Sequence, residues 1–178
     1  MAGWRLAAVS NAGFECVAIA DNLGRFSLPA FGPESERRLI DVFTRCRIDQ
    51  VVDVHNPIDL TPMAGDEAYA QVVETLLTGP ESDAVVVGIV PLTSALNSLE
   101  AGAGHGEDWT RPDAIVARLA ALRRDEGKPW IAVVDAGALY DPMARALVAA
   151  GIPTFRSADR ALRIFNVYCA ERIGRQAR

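Results

Sequence analysis

Short apolar segments alternate with amphipathic segments along this chain. Strands are predicted where apolar and β-branched residues run almost without interruption, which is typical of parallel strands buried on both faces. These segments are residues 4–9, 83–90, 130–134 and 154–156. A further candidate strand covers residues 48–54, and residues 26–31, which contain Pro29, could form at most an edge strand.

Between these segments, apolar residues recur at helical spacing. Helices are predicted near residues 14–23, 33–46, 66–77, 112–122, 141–150 and 157–168. Asp66 is suited to cap the third of them. Strands alternating with helices predict an α/β fold, an open flavodoxin-like parallel sheet with helices on both faces in three layers. We expect residues 1–178 to form a single domain, because this length fits one domain and is tight for two. A β/α barrel would need roughly 250 residues.

Composition narrows the class of protein. Half of the 178 residues are apolar and the net charge is −5, which argues against a nucleic-acid partner. No apolar run approaches 18 residues and no signal peptide is recognisable, so we expect a cytoplasmic protein without a membrane partner. Three widely spaced cysteines indicate reduced thiols. With only two histidines, a histidine-rich metal site is not expected.

Ligands of such sheets bind the loops that follow the carboxyl ends of the strands. The loop Ser10–Gly13 lies between a strand and a helix, where free N–H groups favour an anion; the alternative is a tight turn. Asn56 and Asp59 either present a fixed amide and carboxylate at a domain interface or simply build a rigid turn. His105, in Gly-His-Gly, is either a phosphate acceptor or a solvated loop residue, and Cys16 is either a stabilised thiolate or a core residue.

Five segments together resemble one family. They are VSNAGFECVAIADNLG, NPIDLTP, YAQVVETLLTGPESDAVVVGIVP, KPWIAVVDAG and AGIPTFRSADRALRIF. The chain resembles, from about Arg5 to Ile173, the C-terminal flavodoxin-like (third) domain of NDP-forming acyl-CoA synthetases, the superfamily of acetate–CoA ligase and succinyl-CoA synthetase. The order of NPIDL and the later DAVVV strand is the most specific part of the resemblance.

The resemblance implies a part of an enzyme that makes acyl-CoA from an acid, CoA and ATP or GTP through a phosphohistidine. This part would complete the phosphohistidine and nucleotide site against a CoA-binding/phosphohistidine domain and an ATP-grasp domain or subunit. It would contain no catalytic residue, metal or cofactor of its own and would be inactive alone, while CoA and ATP/ADP with Mg would bind in the assembled enzyme. The implied loop residues are Ser10, Asn11, Ala12, Gly13, Asn56, Pro57, Asp59, Pro91, Leu92 and Thr93.

Three departures from the family pattern qualify this expectation. Phe14 and Cys16 replace two glycines of the first loop, and the phosphohistidine motif is absent. The extra Gly-His-Gly loop after Thr93 predicts that the phosphate-facing helix at this point is short or displaced. These changes motivate an alternative, a non-enzymatic flavodoxin-like module that binds CoA or a nucleotide for regulation.

Overall fold

In residues 3–123 and 127–176, which the computed structural model describes, the chain forms a five-stranded parallel sheet and six α-helices. The strands are β1 (Leu6–Ser10), β2 (Ile58–Asp59), β3 (Ala84–Ile89), β4 (Trp130–Val134) and β5 (Thr154–Phe155). The helices are α1 (Gly13–Asp21), α2 (Pro33–Arg45), α3 (Asp66–Thr78), α4 (Ile115–Leu122), α5 (Asp141–Ala149) and α6 (Ala158–Gln176). None of these helices is long and apolar enough to cross a membrane.

The sheet confirms the predicted α/β class. The strand order is β2-β1-β3-β4-β5 and every pairing is parallel. β3 lies between β1 and β4 and is buried along its whole length, as its uninterrupted apolar sequence predicts. Because Val9 pairs with both Ile58 and Val87, and Ile89 with Val134, the strands end side by side at one carboxyl edge.

Helices cover both faces of the sheet, which confirms the three layers. Successive side chains of a strand point to opposite faces, so each strand contributes to two apolar clusters. Leu6 and Ala8 of β1 belong to the cluster beneath α1 and α6. Ala7 and Val9 belong to the larger cluster beneath α2, α3, α4 and α5.

The strand predicted at residues 48–54 is wrong. Ile48 and Val52 are buried, but they lie in irregular backbone, and the strand that pairs with β1 is the two-residue β2. The reason is that the Asn56 side chain binds backbone groups of β1 that a neighbouring strand would otherwise use. Its Oδ1 accepts a hydrogen bond from the Ala8 N–H at 3.0 Å and its Nδ2 donates to the Leu6 carbonyl at 2.8 Å. Only the last two residues of β1 remain for pairing with a strand on this side.

Candidate functional site

The carboxyl edge of the sheet brings several of the predicted site residues together. The carboxamide of Asn11 pairs with the backbone of Val90, donating to its carbonyl and accepting from its N–H, both at 2.9 Å. The Leu60 N–H donates to the Ser10 carbonyl at 2.8 Å, and Thr93 Oγ1 donates to the Pro62 carbonyl at 2.6 Å. The loops after β1, β2 and β3 therefore meet at one edge. Ala12, Gly13, Asp59, Leu92 and Thr93 reach its surface, and Ser10, Asn11 and Pro91 lie buried beneath it.

Asn56 and Pro57 do not belong to this surface. They precede β2, whose Ile58 pairs with Val9, so they lie on the amino side of that strand. Besides its two bonds to β1, the Asn56 amide donates to the Pro29 carbonyl at 3.0 Å. For Asn56 the structure favours the rigid-turn alternative, because the amide donates both N–H groups to backbone carbonyls and its oxygen accepts from a backbone N–H.

Asp59 lies at the start of α1, where an anion was expected to bind. Its Oδ1 accepts from the Thr61 N–H at 2.9 Å. Its Oδ2 would lie 3.1 Å from a Cβ placed on Gly13, the first residue of α1. A carboxylate is favourable beside the positive end of a helix dipole. The chain thus supplies an anion of its own here, and a phosphate approaching Gly13 would meet negative charge.

Glu15 is a buried carboxyl group at this edge that the sequence analysis missed. It is completely buried in the first turn of α1, and neither carboxyl oxygen finds a donor in the described residues. Burial, and next the negative charge of Asp135 at the end of β4, raise the pKa of Glu15 to about 7. The signal in the sequence is an acidic residue four positions before Ile19, on the buried face of α1.

Gly88 of β3 provides the space for this carboxyl group. A Cβ at this position would lie 2.9 Å from Glu15 Cγ, which is too close for a side chain, and 3.1 Å from Ser10 Oγ, which is tighter than most contacts. The Ser10 hydroxyl is also buried and has no partner in the described residues. Ser10 and Glu15 therefore form a buried polar pair beside Gly88, beneath the carboxyl edge.

The helix that follows β3 is short and displaced, as the extra loop predicts. From Pro91 to Ala114 the chain forms turns and irregular backbone, and α4 begins only at Ile115. Two carboxylates fix this segment. Glu107 Oε2 accepts from the Ser98 hydroxyl at 2.8 Å and from the Ser98 and Leu99 N–H groups at 3.0 and 3.3 Å. Within the segment His105 is exposed and accepts a hydrogen bond from the Glu107 N–H, as expected of a loop residue.

Asp66 supplies the second carboxylate, and its predicted role as a helix cap is wrong. Gly65 occupies the cap position and Asp66 is the first residue of α3. Its carboxylate turns away to accept from the Ile115 N–H at 2.8 Å and from Asn97 Nδ2 at 2.7 Å. The Ile115 N–H, the first of α4, is thus bound internally by a carboxylate.

Exposed apolar side chains surround the polar centre of the carboxyl edge. Five of them, which we call the apolar rim, keep between 59% and 71% of their surface exposed. Large apolar patches on a soluble domain commonly mark interfaces with other proteins. The apolar rim consists of Phe14, Val17, Met63, Leu92 and Leu139.

Solved structures share this fold, although no protein-family model and no curated protein sequence matches the chain. One is PH0766 from Pyrococcus horikoshii OT3, with 23% identity and a TM-score of 0.66 over 88% of this chain and 33% of that one. Another is the dinucleotide forming acetyl-coenzyme A synthetase 1 of Ca. Korarchaeum cryptofilum. In its apo form and in complex with phosphate and ADP it shows 24% identity and a TM-score of 0.63 over 90% of this chain and 31% of that one. The chain spans about a third of the length of these proteins.

Proposed function

We propose that this chain is one domain or subunit of an NDP-forming acyl-CoA synthetase, and that its carboxyl edge docks against the part that carries the phosphohistidine. The observation that carries the proposal is the fold match of 90% of this chain to about a third of an acetyl-coenzyme A synthetase. The apolar rim supports it, because a docking domain needs exposed apolar surface where its partner binds. The free cysteines of the described residues are in keeping with a cytoplasmic assembly.

The residues of the carboxyl edge do not fit a bound phosphate group. Asp59 places a carboxylate at the start of α1, and irregular backbone follows β3 directly, so that α4 begins only at Ile115. In this proposal the partner domains bind CoA and the nucleotide with Mg and carry the phosphorylated histidine. This chain contributes an apolar surface that closes the site and excludes water, which strengthens electrostatic interactions inside it.

The chain alone should form no acetyl-CoA from acetate, CoA and ATP, because the groups that bind these reactants lie on other domains. Mixing it with the CoA-binding/phosphohistidine part and the ATP-grasp part from the same organism should restore product formation. Thioester formation, followed by mass spectrometry, measures this. The control omits only this chain.

Two outcomes would contradict the proposal. The first is turnover by the isolated chain at the rate of a complete ligase. The second is an equal rate from the partner parts with and without this chain, because the chain would then contribute nothing to the site.

A further inference from the structure

The outer side of β5 is an open edge of the sheet. Within residues 3–123 and 127–176, β5 pairs with β4 and with no other strand. The Ala132 N–H donates to the Pro153 carbonyl at 2.9 Å, so this carbonyl faces β4. Because the backbone groups of successive strand residues point to opposite sides, the N–H and carbonyl of Thr154 face outward. Such an edge can pair with a strand of another chain.

Exposed apolar side chains lie on both faces of the sheet beside this edge. α5 and α6 contact β5 from opposite faces. Val148 of α5 lines the same shallow depression as Thr154, and Ile164 of α6 lines the same cavity as Phe155. Val167 lies next to Ile164 at helical spacing. We call Val148, Ile164 and Val167 the β5 flank; each keeps between 53% and 68% of its surface exposed.

A second copy of the chain is complementary to the backbone of this edge. A twofold axis beside Thr154 would set the two β5 strands antiparallel, and each Thr154 N–H would donate to the Thr154 carbonyl of the other copy. β5 has only two residues, so side chains must supply most of the contact. α6 has 19 residues and is about 28 Å long, which extends the contact well beyond Thr154.

The charges on α6 are also complementary to those of a second copy. Arg160 and Glu171 are both exposed, and Ile164 and Val167 lie between them. The same twofold axis runs the two α6 helices in opposite directions, so Arg160 of each copy approaches Glu171 of the other. Glu171 accepts one hydrogen bond, from Arg175 Nε at 2.8 Å, and a carboxylate has further acceptor positions. Two equivalent ion pairs would thus enclose the apolar contact.

We infer that the open edge of β5 binds a second copy of this chain, in a twofold dimer whose sheet continues from one copy into the other. The β5 flank of each copy packs against that of its partner and is removed from water, which drives the association. The inference is independent of the proposed function, because it concerns the chain alone and the β5 flank shares no residue with the apolar rim.

Sedimentation velocity of the full chain over a range of concentrations tests the inference. We expect a species of twice the mass of one chain, in a concentration-dependent equilibrium with the monomer. Ile164→Asp and Val148→Asp should each weaken the dimer at least about a hundredfold, because the carboxylate loses hydration and the change occurs twice in a twofold interface. Ile40→Asp is the matched control: Ile40 is 51% exposed against 53% for Ile164, and it should dimerise as wild type does.

Exchanging the charges on α6 tests the orientation of the two copies. Arg160→Glu and Glu171→Arg should each weaken the dimer about tenfold at low ionic strength, because repulsion replaces attraction at two places. The double variant Arg160→Glu/Glu171→Arg should recover most of the affinity. All these positions are exposed, so the variants should fold, which circular dichroism and the thermal unfolding midpoint check.

Three results would each overturn the inference. The first is a wild-type chain that stays monomeric at every concentration. The second is a dimer whose affinity is the same in Ile164→Asp and Val148→Asp as in wild type, since it would form through another surface. The third is a double charge variant that binds no more tightly than the single variants.

Discussion

Replacing Asn56 with alanine is expected to lower the free energy of unfolding by about 3 kcal/mol. The Asn56 side chain makes hydrogen bonds to the Ala8 N–H, the Leu6 carbonyl and the Pro29 carbonyl. Each such bond contributes about 1 kcal/mol net, and backbone groups left without a partner cost more when they are partly buried. Denaturant unfolding, followed by circular dichroism, measures the difference.

Asn22→Ala is the matched control. The Asn22 carboxamide is exposed and makes one hydrogen bond, to the Ala18 carbonyl, so its removal should cost well under half as much. A structural role also predicts that Asn56→Asp is destabilising, because the two donors of the amide are lost. If Asn56→Ala has the same free energy of unfolding as wild type, the Asn56 amide does not stabilise β1. A ligand-binding role for this residue would then have to be considered again.

Glu15→Gln is expected to remove a pH dependence of stability from the wild-type protein. Burial and Asp135 raise the pKa of Glu15 from 4.5 to about 7, so the folded chain holds this proton more tightly than the unfolded chain. The stabilisation that the folded chain gains by holding this proton is fully present below about pH 4.5 and is lost as pH rises to about 7. The free energy of unfolding falls by about 3 kcal/mol over this range. Glutamine does not titrate, and its amide can donate to Asp135.

Thermal and denaturant unfolding at pH 5 and pH 8 measures this effect. The variant should gain stability over wild type at pH 8 and little or none at pH 5. Glu36→Gln, at an exposed position of α2, should keep the wild-type dependence. If the stabilities of wild type and Glu15→Gln change with pH in parallel, the Glu15 carboxyl group does not titrate with a raised pKa in the folded chain, which would contradict the prediction.

Local sequence predicted the central elements because they are buried on both sides. The segments that form β3 and β4 consist almost entirely of β-branched and apolar residues, and such segments are typical of strands buried on both faces. The outer strand that pairs with β1 could not be predicted in this way. Residues 48–54 are as apolar as a strand, but pairing with β1 is decided by the Asn56 side chain, which is distant in sequence from Leu6 and Ala8.

The candidate site was predictable only in outline. Parallel strands place the loops after β1, β2 and β3 at one edge, so Ser10–Gly13, Asp59 and Pro91–Thr93 could be grouped from the sequence. The buried carboxyl group of Glu15 depends on the space over Gly88 and on Asp135, which come from two other strands. Likewise, local sequence makes Asp66 appear to be a helix cap. Its actual partners, Asn97 and Ile115, could not be predicted because they lie far away in sequence.

The affinity of this chain for its proposed partner, the CoA-binding/phosphohistidine part of an NDP-forming acyl-CoA synthetase, tests most directly whether the carboxyl edge is a docking surface. Leu92→Asp places a charge in the apolar rim and should weaken the complex at least about tenfold, because a buried carboxylate loses its hydration. Ile40→Asp, at an exposed apolar position of α2, should leave the affinity unchanged. Equal affinity of wild type and Leu92→Asp, with both variants folded, would contradict docking through this edge.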